Sequence, residues 1–380
     1  MSEYQYYEFT AIDKPLTPKQ VEEVEQFSSR ADVTSTRFVN EYNYGNFRGN
    51  PDHFLRDYFD AMVYIANWGT RQFMFRVPKD LVDQQAMRAF EWPDMLELRS
   101  AGVHWIVDLS LQEDGGDYVE GHGLMRSLAG VRAEVLGGDL RPLLIGWLAG
   151  VTQGGCGSDD EDLDDDPVPP TPPGMNKLTA SQQALAEFLD VDETLLKLAG
   201  AGSVPPPAEP DLAQALAKFP TTQKERWLLE LLTSDDPQAA KRIIRQVRPT
   251  REFPAAEPSF KTVGDLRRAW GELERKQTAD QQARAAAVKR KKDAEDAAAY
   301  QLRLDRLATR GDSVWTEIDS LITMRNEQTY KQAVTLLKDL RALAGRTGKD
   351  ADFSDRVQKL LQAHGRKGNF VQLARRSGIA

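Results

Sequence analysis

The spacing of apolar and polar positions changes period several times in the first 150 residues, and each change predicts an element. Tyr4 to Ile12 is rich in aromatic residues around Glu8 and Thr10 and reads as a strand. Thr17-Pro18 then opens a helix, with Thr as the cap and Pro in the first turn, where its missing N–H costs nothing. Val21, Val24 and Phe27 give that helix one apolar face. Val33 to Tyr42 is a second strand, followed by the glycine-containing loop Glu41 to Pro51. Asn50-Pro51 predicts a second helix through Phe54, Tyr58, Ala61, Met62 and Ile65, with Gly69 just past its end as a left-handed cap. Phe73, Phe75 and Val77 alternate as a strand that stops before Pro78. A short helix over Asp80 to Phe90 follows, then strands over Met95 to Arg99 and Val103 to Leu111. Leu124 to Val151 is mainly helical, broken at Gly137-Gly138 and Pro142.

This order predicts an α/β or α+β N-terminal domain over residues 1–152, one mixed sheet covered by helices. Its β-α-β pieces favour some parallel pairing, because parallel strands need crossovers.

The texture breaks near position 155. An acidic, proline-rich strip, Asp159 to Asp166 followed by Pro167 and Pro169-Pro170, predicts a linker over 153–178. Beyond it the pattern is almost wholly helical. A small helical region is expected over 179–250, with Pro205-Pro206-Pro207 dividing it, and a second linker over 251–261. Thr262 opens a long helix over 262–311, in which Val263, Leu266, Trp270 and Leu273 fall at coiled-coil spacing. From Gln277 to Lys292 the seam dissolves into Ala, Gln, Lys and Arg, which hold helix propensity but little packing. The seam returns at Tyr300, Leu304 and Leu307, and Gly311 ends it. Such a helix is a spacer or a protruding arm, single or paired in a coiled coil. Trp315, Ile318, Tyr330, Leu337, Phe353 and Phe370 lie on shorter helices that predict a C-terminal bundle over 312–380.

Charge follows the same division. The net charge of −9 splits into about −9 over residues 1–150, about −7 in the acidic run and about +7 beyond it. A basic arm can meet nucleic acid, an acidic partner or the chain's own acidic strip. Cys156 is the sole cysteine and there are four His, so no internal disulfide and no thiolate zinc cluster can form. The longest apolar run, Pro142 to Val151, is far short of the ~20 residues of a membrane span. No secretory signal is expected at the start, and a cytoplasmic setting without membrane contact follows as the expectation.

Candidate chemistry is sparse. The loop holding Glu41, Tyr42, Tyr44 and Arg48 offers a carboxylate, a guanidinium, amides and rings in one stretch, as a partner-binding loop would. The competing reading is a turn that uses Gly and Asn for left-handed backbone while its rings pack inward. Trp68 and Arg71 form a second such cluster. Lys289, Arg290, Lys291 and Lys292 are a compact basic group able to contact phosphates, or simply a solvated helix face. His104 and Asp108 lie four apart in a strand, and His122 sits near Glu120 in a Gly-rich turn, the ingredients of acid–base chemistry. No nucleophile elbow, HExxH or Walker lysine accompanies them, and Gly154-Gly155-Cys156-Gly157 precedes acid that would repel phosphate. No catalytic residue, metal ligand or cofactor is assigned from these patterns.

Two stretches, Phe38 to Pro78 (FVNEYNYGNFRGNPDHFLRDYFDAMVYIANWGTRQFMFRVP) and Ser313 to Ala344 (SVWTEIDSLITMRNEQTYKQAVTLLKDLRALA), resemble a family of bacterial proteins with the same head-and-tail layout. That resemblance implies a bacterial, cytoplasmic origin and a protein partner bearing a SWIM-type zinc finger. It brings no activity and no catalytic residue.

The expectation drawn from all of this is a non-enzymatic interaction or adaptor protein. The alternatives are a nucleic-acid-associated component of a bacterial defence or regulatory system, and an enzyme using His104, Asp108 or His122.

Overall fold

Seven strands build the head: β1 (Gln5–Thr10), β2 (Asp32–Val33), β3 (Arg37–Tyr42), β4 (Ala61–Ala66), β5 (Arg71–Pro78), β6 (Leu96–Ala101) and β7 (His104–Leu111). In the computed structural model they form one sheet in the order β2-β3-β1-β4-β5-β7-β6. The structure describes residues 4–112, 120–154, 163–205, 212–247 and 258–379. Cys156, Asp159 to Asp162, Pro206-Pro207 and residues 251–257 of the expected linkers lie outside them.

Every ladder between these strands is antiparallel. The architecture is therefore α+β, and the expected parallel pairing does not form. The β-α-β unit exists: β3, helix α2 (Pro51–Asp57) and β4 follow one another. Yet β1 lies between its two strands and runs antiparallel to both, so β3 and β4 share a direction without touching.

Alternation on the strands sorts the side chains onto two faces. Val63, Phe73, Phe75, Val107 and Leu109 point to the main core. The short helix α3 (Gln84–Arg88) follows β5, and helices α4 (Leu124–Leu136), α5 (Arg141–Gln153), α6 (Ala180–Phe188) and α7 (Glu193–Gly200) add Leu128, Val131, Leu144, Trp147, Leu185 and Leu195 to the main core. Phe9, Phe38, Met62, Met74 and Ile106 point to the other face. There they meet Phe54 and Leu55 of α2 and Val24 of α1 (Pro18–Glu25). Thr17 caps α1 through a full capping box with Gln20, as its sequence anticipated.

The second helix departs from expectation. It ends at Asp57, and Ala61 to Ala66 is a central strand. Gly69 (φ +105°) serves the β4–β5 hairpin turn and caps no helix. Val33 to Tyr42 is likewise two strands, turned at Thr34–Thr36, where the Ser35 and Thr36 carbonyls accept from Leu16 and Ala11.

The chain divides into two compact units, Met1–Lys276 and Gln277–Ala380. The expected linker over 153–178 contains packed residues. Residues Thr171 to Met175 are buried in the first unit, and the Asp166 carbonyl accepts from Val263 N–H. Helix α11 (Val263–Arg310) begins in that unit, where Val263, Leu266 and Trp270 enter the main core. Helices α8 (Leu212–Ala217), α9 (Thr221–Thr233) and α10 (Ala239–Val247) make a small separate cluster around Trp227, Ile243 and Val247. In the second unit, α12 (Ser313–Thr323), α13 (Glu327–Thr347), α14 (Asp350–Ala363) and α15 (Gly368–Arg376) pack Ile318, Ile322, Leu337, Phe353 and Phe370 with Leu307 of α11. Residues 275–303 of α11 are exposed without a break. No helix of the described residues is long and apolar enough to cross a membrane.

Candidate functional site

Register across the sheet places Glu41, Tyr6, Ile65, Arg71 and Leu111 in one row at one end. The loop after β3 and the β4–β5 hairpin both project from that end, and both are tied to the start of β1. Gln5 Nε2 donates to the Gly45 carbonyl (3.1 Å) and to Asn46 Oδ1 (3.0 Å). Tyr4 N–H donates to Asn67 Oδ1 (3.0 Å), and Asn67 N–H returns a bond to the Tyr4 carbonyl (3.0 Å). Phe47 turns inward, with ring centroids 5.0 Å from Phe54 and 5.1 Å from Tyr7. Gly49 lets the chain pass: a Cβ there would sit 2.5 Å from the Phe47 ring. Phe47 thus anchors the loop, as the turn reading expects, while Tyr44 of the same loop is left to solvent.

The presented groups are Tyr44, 78% exposed, and Trp68, 41% exposed, with Arg48 also exposed. Glu41 pairs with His122 Nε2 (2.8 Å), whose ring meets the Tyr6 ring edge-on at 5.1 Å. Tyr42 packs against Tyr7, and its buried hydroxyl has no hydrogen-bond partner among the described residues. Arg71 does not join the presented group. It turns to the helix-covered side of the sheet, where Nη1 donates to the Phe188 carbonyl at the end of α6 (3.2 Å).

Below this rim, a polar row crosses five strands on the α2 side of the sheet: Asn40, Tyr7, Tyr64, Gln72 and Ser110. Tyr7 and Tyr64 stand 4.4 Å apart, and both hydroxyls donate to Gln5 Oε1 (3.3 and 3.2 Å). Burial raises both phenols, and for Tyr7 the neighbouring Tyr64 and Tyr42 add to it, so they stay protonated donors. Gln72 Nε2, Ser110 Oγ and Arg99 Nη1 all donate to the Asp108 carboxylate at 2.7–2.9 Å. These bonds tie neighbouring strands together just below the rim and stiffen its floor. The sequence held a signal for it, since Gln5 and Tyr7 alternate with core residues on β1. Tyr64 was hidden by the helix reading.

The proposed acid–base trio is not assembled. His122 stands at the Glu41 end, whereas His104 pairs with Pro78 at the opposite end of β7. His104 is seven steps along the strand from Leu111, or about 23 Å at ~3.3 Å per residue. Asp108 is occupied by its three donors. His104 instead faces a buried ionic cluster. There Asp60 Oδ2 accepts from Ile12 and Asp13 N–H (2.7 and 2.8 Å), and Oδ1 from Arg76 Nε (2.9 Å). Arg132 binds Asp13 with both terminal nitrogens and the Arg76 carbonyl with Nε (2.7 Å). Burial lowers His104, and the charges of Arg76 and Arg132 lower it further, so its ring is neutral near pH 7.

Lys289, Arg290, Lys291 and Lys292 are all exposed on α11, with Lys291 3.9 Å from Glu295. Among the described residues no group of three or more His, Cys, Asp or Glu could hold a metal ion. No family model, curated protein or solved structure matches the chain, so the resemblance at Phe38–Pro78 and Ser313–Ala344 gains no support from these comparisons.

Proposed function

We propose that this chain is a protein-interaction component whose head docks a partner on the end of the sheet. One observation carries the reading: Tyr44 and Trp68 are exposed there on two turns, each hydrogen-bonded to the start of β1. Exposed aromatics on a stiff support lose little entropy on binding and are the residue types that dominate interface energetics. Glu41 and Arg48 supply flanking charge. A cytoplasmic bacterial setting belongs to this reading, consistent with Cys156 as the single cysteine. The partner class offered by the resemblance, a SWIM-type zinc-finger protein, is its most specific form.

The test is co-purification of the intact chain from its host, beside the Tyr44→Ala/Trp68→Ala variant. Both side chains are exposed, so the variant keeps its fold. The reading expects one abundant protein to be held by the wild type and lost by the variant. Equal recovery with both, or no partner with either, contradicts it.

A second reading rests on a different observation, the unbroken exposure of residues 275–303 around Lys289–Lys292. An exposed basic helix can follow a phosphate backbone, with binding that falls steeply as salt rises. Absence of DNA or RNA binding at about 50 mM salt, where such contacts are strong, removes it.

A further inference from the structure

Helix α9 is built the wrong way round for an isolated chain. Among the described residues of α9, Trp227 is the one side chain buried in the small cluster, and Lys224 Nζ reaches the Ala217 carbonyl at 3.5 Å. Leu228, Leu231 and Leu232, at 57, 45 and 73% exposure, point to solvent from adjoining positions on the helix surface. Leu229 widens the same exposed arc. Together they offer bare apolar surface on the order of 300–400 Å², as large as the largest patch of a typical monomer and often a sign of association.

The charges at the two ends of this helix say what fits. Lys224 lies at the start of α9, and exposed Asp235 just beyond its last residue, Thr233. Each sits at the end of the helix macrodipole that disfavours its sign. No acidic residue occupies the first turn and no basic residue the last. A second α9 laid antiparallel across a two-fold axis reverses both mismatches. Lys224 of one copy then meets Asp235 of the other, and Leu228 meets Leu231, with the same residues returned on the far side of the axis. This is the self-complementary pattern of an isologous contact.

We propose that α9 is a homodimer contact, in which two copies of this chain pair antiparallel through Leu228, Leu231 and Leu232, with Lys224–Asp235 pairs at both ends. The surface is independent of the sheet-end rim. Two such arcs bury well under the ~1,200 Å² of a standard stable interface, so the dimer is a weak one, forming between roughly 1 and 100 µM.

Sedimentation velocity on the full chain across that range tests it. The wild type should shift from monomer toward dimer, and Leu228→Glu/Leu232→Glu should remain monomeric throughout. Lys224→Asp alone and Asp235→Lys alone should each weaken association at least tenfold. The double exchange, Lys224→Asp/Asp235→Lys, should restore it. A wild type that stays monomeric at 100 µM overturns the proposal, as does a leucine variant that still dimerises. Failure of the double exchange to rescue overturns the antiparallel register.

Discussion

Asp60→Ala should be among the most damaging single changes in the head. Asp60 is buried at the start of β4 and accepts three hydrogen bonds, from Ile12 N–H, Asp13 N–H and Arg76 Nε. Its carboxylate also lies 3.6 Å from Arg132 Nη2. Removing it leaves two backbone donors unsatisfied, at about 1–3 kcal/mol each, and a buried cluster of two Arg facing one remaining Asp. These costs overlap, because all arise from the same desolvated site. Loss of one member of a buried ion pair is about 3–5 kcal/mol, and that is the expected destabilisation. Urea unfolding followed by tryptophan fluorescence is a suitable assay, since Trp68, Trp92, Trp105, Trp147, Trp227 and Trp270 lie in the first unit and only Trp315 in the second. The first unit's transition should move and the second unit's should not. Asp60→Leu/Arg76→Met should cost less than Asp60→Ala, because apolar replacement of a buried pair removes the uncompensated charge. A loss under about 1 kcal/mol for Asp60→Ala would refute the reasoning, since it would mean water reaches the site.

Other outcomes follow from the same geometry. His104 is held below its unfolded value of about 6.5, so the stability it contributes is present above that pH and is lost as pH falls through the folded value. His104→Gln should therefore flatten the decline in urea midpoint between about pH 7 and 5 relative to wild type; parallel profiles would show that burial does not perturb this ring. Gly150→Ala on α5 sets helix propensity, a gain of about 0.8–1 kcal/mol, against a Cβ that would fall 2.5 Å from the Trp92 ring. Overpacking of a rigid buried ring costs about 1–3 kcal/mol, so thermal unfolding should register a net loss, and a stabilised variant would contradict the packing between α5 and Trp92.

Several elements could be read from residues alone because local and tertiary signals agreed. Thr17-Pro18 capped its helix, Phe73, Phe75 and Val77 marked one face of β5, and Gly311 (φ +55°) ended α11. The strand β4 was misread because it lies between β1 and β5 with both faces covered. An apolar run such as Ala61 to Ala66 has little alternation, and Tyr58, Ala61, Met62 and Ile65 fit a helical period by coincidence. The burial of Thr171 to Met175 inside the expected linker was not legible, because proline content resembles that of a flexible segment while burial depends on what packs over it. At the candidate site, Glu41, Tyr42, Tyr44, Arg48 and Trp68 were local enough to notice. The His122–Glu41 pair, the Arg71–Phe188 bond and the Arg132–Asp13 pair join residues far apart in the chain, with separations of 117 and 119 for the last two. No periodicity within one element reports such contacts.

The central claim, that a partner docks on the end of the sheet bearing Tyr44 and Trp68, is tested most directly by site-specific photocrosslinking in the host. A benzophenone amino acid would replace Tyr44, Trp68 or, as a control, Val103, which is about as open to solvent as Tyr44 and more so than Trp68 but lies on the β6–β7 turn at the opposite end. The account predicts one and the same protein adduct from positions 44 and 68 and none from 103. Adducts from position 103 alone, or the same adducts from all three, would contradict it.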